Sequence, residues 1–195
     1  DEGEDAGQCF YPGRRGGMGP GMMGPGGAYT PAGEGLTVDE AISAAQEYIQ
    51  GASGNLVVSE VMEFSRNFYV VVMESDTSKG AMELLVDPYS GRVTPEMGPN
   101  RMWNTKYGHM GSDPDAAAVN EISMNEAAEA AQGFLDENLK GATVEPGGID
   151  FYGYYSFDYT VAGEVAGMLS VNGTTGQVWL HTWHGEFISE KEIEE

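Results

Sequence analysis

The chain has 195 residues, room for one ordinary domain or two small ones, and 41 % of them are hydrophobic, which excludes a disordered acidic tail. Nine basic residues face 31 acidic ones, a net charge of −22 that excludes a nucleic-acid or anionic-lipid surface and favours cations or basic partners. No apolar run reaches the length needed to span a bilayer, so no transmembrane segment is expected.

The first segment, residues 1–35, is an arm. It contains RRGGMGPGMMGPGGAYTPAG at 14–33 and contributes heavily to a glycine content of 29, roughly twice the usual share. Its start, DEGED without an initiator methionine, is read as the product of leader removal, and together with the charge and the single cysteine this points to a secreted, extracellular or cell-surface protein. Cys9 has no internal disulfide partner, so it pairs between chains or ligates a metal if it does either. Glycine permits close backbone approach, proline lowers the entropy lost on ordering, and Tyr11, Met18, Met22, Met23 and Tyr29 are suited to filling grooves. The arm is therefore expected to strap onto a neighbouring subunit, and such a head-to-tail contact propagates into a homo-oligomer or a filament-like homopolymer.

Residues 37–49, TVDEAISAAQEYI, read as a helix opened by a capping box, Thr37 with Glu40. Ala41, Ala45, Tyr48 and Ile49 make one apolar stripe, and Gly51 and Gly54 stop the helix. The period then falls to two. LVVSEVMEF, FYVVVME and AMELLVDP are strands separated by SRN and DTSKG, and LLVDPYSGRV closes the unit with a turn whose last position, Gly91, needs positive φ.

Residues 95–121 read as a linker with two aromatics that a plain hinge would not need. Trp103 and Tyr107 are expected to anchor it as it wraps over a surface, and both are counted among the assembly residues.

The whole order then recurs. SMNEAAEAAQGFL at 123–135 carries the box Ser123–Glu126, Gly141 follows it, YYSFDYTV and VAGMLSVN are strands, and LSVNGTTGQV ends on Gly176. The expected fold class is α+β, two repeated units at 36–94 and 122–190, each one helix packed on a small antiparallel β-sheet. Asn172-Gly173-Thr174 satisfies a glycosylation sequon inside the second turn.

Helix, strands and LLVDPYSGRV in this order resemble the PepSY domain over residues 36–94, with LSVNGTTGQV a looser copy over 122–181. The resemblance implies a tandem PepSY-type secreted protein, no catalytic set, and, for some members, protease regulation. Asp87 and Gly91 look structural by that resemblance, and Asn172 stands where the second copy would carry the aspartate.

Chemistry-bearing motifs are few. HTWH spaces His181 and His184 three apart, so an extended backbone would point them to opposite faces and chelation requires a turn between them. There is no HExxH, no phosphate-binding loop and no CxxCH, and Cys9 lacks a scaffold to depress its pKa. No cofactor and no enzyme activity are expected. The alternative to a structural subunit is a soft-metal protein, with copper on Met18, Met22, Met23 and Cys9, joined by His109, His181 and His184. Protease regulation is the third reading.

Overall fold

The computed structural model describes residues 35–52, 55–109 and 120–193. In chain order these form α1 (Val38–Gln50), β1 (Leu56–Phe64), β2 (Phe68–Glu74), β3 (Gly80–Val86), β4 (Val93–Pro95), the short α2 (Pro99–Met102), α3 (Met124–Asn138), β5 (Ala142–Val144), β6 (Ile149–Phe151), β7 (Tyr154–Val161), β8 (Glu164–Asn172), β9 (Val178–Leu180) and β10 (Phe187–Glu192).

Both long helices begin as their sequences dictate. Thr37 and Ser123 accept from the backbone N–H of Glu40 and Glu126, and each glutamate returns a bond to the cap's own N–H. Losing such a cap typically costs about 0.5–2 kcal/mol. Each helix buries a stripe at four-residue spacing, Ala41, Ala45 and Ile49 in α1 and Ala127, Ala131 and Leu135 in α3. The alanines let the helices lie close to the strands, so α1 covers Val61, Val70 and Leu84, and α3 covers Phe157, Leu169 and Val171.

The closing turns also follow local chemistry. Asp87 Oδ1 accepts from the N–H groups of Tyr89 and Ser90, and Asn172 Oδ1 accepts from those of Thr174 and Thr175. Gly91 and Gly176 take φ of 67° and 70°, where a side chain would be strained.

The expectation of two separate small antiparallel sheets is corrected by the strand order. All ten strands belong to one mixed sheet, ordered β10-β1-β2-β3-β6-β7-β8-β9, with β4 on β3 and β5 on β7. The junction between β3 and β6 is parallel, and it pairs Gly80 with Phe151. The physical reason is the absence of a side chain at Gly80, since a Cβ there would fall 2.4 Å from the Phe151 ring. The C-terminal β10 then returns to pair antiparallel with β1, which places the chain's last strand on the first half.

The sheet has two unlike faces. The helix face is apolar. The opposite face curls round a third cluster that draws Met62 and Phe64 from β1, Tyr69 and Val71 from β2, Phe151 from β6, Tyr154 from β7 and Met168 from β8. β10 touches β8 across this interior. Polar side chains are buried on the same inner side, among them Glu83, Ser156 and Ser170, joined by Glu96, His181 and His184 from the connecting segments.

A candidate metal centre on the inner face

Glu96 follows β4 in the segment expected as a linker, and it is wholly buried. Its backbone N–H donates to the Glu83 carbonyl, and Asn100 of α2 bonds the Glu83 backbone through both ends of its amide. Short local bonds therefore hold the turn after β4 against β3 and aim the Glu96 carboxylate inward.

His181 and His184 come from the other end of the chain, just past β9. The backbone bends at Trp183 and His184, and Gly185 takes a φ of 91°. That bend supplies the turn that chelation requires, and both rings converge on Glu96. His184 Nε2 lies 3.0 Å and His181 Nδ1 3.5 Å from Glu96 Oε1. One ligand atom from each of the three residues falls within 4.8 Å of the others.

The far side of each ring is held. His184 Nδ1 lies 2.8 Å from Asn67 Oδ1, while Asn67 Nδ2 donates to the Trp183 carbonyl, which fixes the amide's orientation. An amide oxygen only accepts, so Nδ1 carries the proton and a neutral ring presents a bare lone pair at Nε2. His181 Nε2 lies 3.0 Å from Ser170 Oγ, leaving Nδ1 turned toward Glu96. Trp183 stacks on His181 with centroids 4.7 Å apart and donates Nε1–H to Glu96 Oε1. Phe64 stacks on His184 at 4.7 Å.

The facing atoms are not paired to one another in the usual way. Although the separations are those of ion pairs, His181 Nδ1, His184 Nε2 and Glu96 Oε2 have no hydrogen-bond partner among the described residues. A lone pair set 3.0 Å from a carboxylate oxygen is repulsive unless a cation, proton or metal, lies between them. Two imidazoles and a carboxylate, each ring oriented through its other nitrogen, form a donor set for a borderline divalent ion.

A second layer surrounds the triad. Glu83 accepts from Tyr69 at 2.7 Å and Tyr154 at 2.8 Å. Burial, followed by the Glu96 charge, pushes its pKa well up, which favours the neutral acid. Burial pulls Glu96 the same way, but the adjacent His181 and His184, when they carry a proton, outweigh it and hold the carboxyl well below its usual range. Burial disfavours a charge on His181, and the neighbouring Glu96 more than reverses this, raising its pKa. Tyr69 and Tyr154 are pushed well up by burial and by Glu83, so both remain donors.

Of the other residues expected in a metal set, only His109 is among the described residues. His109 is exposed and outside the cluster, and Cys9, Met18, Met22 and Met23 lie outside the described residues, as do Tyr11 and Tyr29. Trp103 packs on the inner cluster and edge-on to Trp179, while Tyr107 packs against the core cluster of the first half and donates its hydroxyl to Glu74. Both aromatics of the linker thus contact the chain's own cores. Asn172, the sequon residue, has its side-chain oxygen engaged in the turn. Glu96 itself was absent from the sequence-based set. A lone glutamate in a Gly/Pro segment carries no periodic signal, and only its buried setting marks it.

Among the described residues no helix is long and apolar enough to cross a membrane. No curated protein matches the sequence. Among solved structures the chain is similar to the Bacillus megaterium YpeB C-terminal domain, at 14 % identity and a TM-score of 0.27, covering 75 % of this chain and 62 % of that one. Residues 35–94 match the family model described as "Peptidase propeptide and YPEB domain" (PepSY). Such a domain is a regulatory, non-catalytic module, in line with a non-enzymatic chain. Residues 35–94 are therefore a PepSY-like domain, set in a larger α+β sheet.

Proposed function

We propose that the chain is a non-enzymatic, extracytoplasmic module that holds one divalent transition-metal ion of the zinc class on Glu96, His181 and His184. The observation that carries this reading is the convergence on the buried Glu96 carboxylate of two buried imidazole nitrogens that have no hydrogen-bond partner among the described residues, each ring oriented through its other nitrogen. Glu96 lies in the segment that directly follows the PepSY-like domain and the histidines near the chain's far end, so the ion would tie that segment to the C-terminal part. Nitrogen and oxygen donors favour a borderline ion over Cu(I), which prefers thioethers and thiolates. Elemental analysis and native mass spectrometry of the full chain, before and after chelation and zinc addition, test it. About one ion per chain is expected, lost in His181→Ala and His184→Ala. A metal-free wild type that takes up no zinc ends the proposal.

The PepSY match favours a second reading, regulation of a peptidase. A stable complex with a co-encoded peptidase is its minimum support, and failure to inhibit that enzyme counts against it. Two further readings stay as proposals. Assembly through residues 1–35 into a homopolymer is tested by deleting them and measuring particle mass, and unchanged mass removes it. Residues 122–181 are read as a diverged second copy of the first unit, supported by the repeated capping box and the repeated turn bonds at Asp87 and Asn172.

A further inference from the structure

A second group of acids lies on the inner face, away from the histidines. Glu60 of β1, Asp158 and Ser156 of β7 and the loop Glu145–Gly148 line a cavity of ≈50 Å³. Glu60 reaches this face because of a local irregularity. The β1–β2 register slips between Val58 and Glu60, so Val58 and Val61 face α1 while Glu60 turns inward. Gly148 lets the loop press against β7, where a Cβ would fall 2.3 Å from the Phe157 ring and 2.8 Å from the Ser156 carbonyl.

The cavity is lined by donors that lack partners. Ser156 is 2 % exposed and its Oγ has no hydrogen-bond partner among the described residues, and neither does Asp158 Oδ1. No lysine or arginine among the described residues pairs with Glu60 or Asp158. Burial, then the charge of Asp158, raises Glu60 to about 8. Burial, then Glu190, raises Asp158 to about 7, with His181 opposing. Burial makes both acids resist ionising, and Asp158 adds to the resistance at Glu60, which is the arrangement a bound cation relieves.

We propose that Glu60, Asp158 and Ser156 form a second site, for a hard divalent cation of the calcium class, with Glu145 at its margin. Every donor is oxygen, two of them carboxylate, the ligand type that calcium and magnesium take and that zinc-class ions share with nitrogen or sulfur. The volume accommodates an ion with a water molecule. The site is independent of the histidine centre and does not rest on it.

Calcium titration by calorimetry, with terbium luminescence as a second probe, tests the site on the full chain. Wild type, Glu60→Gln, Asp158→Asn, Ser156→Ala and His184→Ala are compared. One saturable calcium site is expected above the diffuse binding of an acidic surface, weakened about tenfold or more in Glu60→Gln and Asp158→Asn, and unchanged in His184→Ala. Ser156→Ala removes a hydroxyl without touching charge, so weakened binding there is not explained by misfolding of the acid variants. Absence of a saturable site in wild type overturns the proposal, as does equal affinity in the three cavity variants. So does a melting temperature that rises in Asp158→Asn while calcium leaves the wild type unmoved, because the acids are then simply held by protons.

Discussion

Two buried acid clusters share the inner face of one sheet, and they are built on opposite terms. Around Glu83 and Glu96 each carboxyl has compensating neighbours: Tyr69 and Tyr154 donate to one, and Trp183 donates to the other beside two imidazoles that can carry a proton or a metal ion. Around Glu60 and Asp158 the neighbours are further acids, an unpaired serine hydroxyl and a glycine loop. The first cluster contains much of its own compensation and the second leaves its charge to a proton or a cation. The contrast follows from what surrounds each, because a buried charge is tolerable only when neutralised or paired.

Removing a partner from the compensated cluster is the largest perturbation. Glu96→Ala leaves two buried imidazoles without their carboxylate, and a loss of about 3–5 kcal/mol in urea unfolding is expected. A loss below 1 kcal/mol would break the comparison. pH acts mainly through the raised acids. Their folded pKa values, about 8 for Glu60, about 7 for Asp158 and raised likewise for Glu83, lie above the ordinary 4.5 and 3.8. The folded state then binds more protons than the unfolded one between those limits, so the contribution of these acids is full below about pH 4 and declines as pH rises toward 8. Glu96 and Glu74, whose pKa values are lowered, lose theirs as pH falls below the ordinary carboxylate range. Thermal melts of chelated protein across this range check the sign. Glu60→Gln with Asp158→Asn flattens the decline, and the remainder belongs to Glu83 and to His181, whose raised pKa acts with the same sign.

Smaller effects sharpen the same contrast. Tyr154→Phe strips one donor from Glu83 and costs about 1–2 kcal/mol by chemical denaturation. Ser156→Ala deletes a hydroxyl that has no partner, so in cation-free buffer its effect stays within about 0.5 kcal/mol of zero or stabilises. Equal costs for the two hydroxyls would mean that the inner face does not divide in this way.

Much of the fold was legible before any coordinates. The capping boxes, the four-residue alanine stripes and the glycines at 91 and 176 each depend on residues within a turn of one another. The centre was half legible. The spacing of HTWH raised a chelating pair and set its condition, a turn, but gave no sign of Glu96, which lies more than eighty positions away. Glu60 was hidden differently: the inward turn comes from a bulge, which breaks the alternation from which strand faces are read.

The sequence by itself determined the helices, their caps, the strands and the closing turns, since those are settled by bonds between near neighbours. Only the tertiary structure decided that the two halves share one sheet, joined in parallel where Phe151 lies over the bare Cα of Gly80. It also decided that β10 returns to β1, curling the inner face round its acids. Strand order and curl depend on contacts between distant residues, and no local pattern records which carboxylate a histidine will meet.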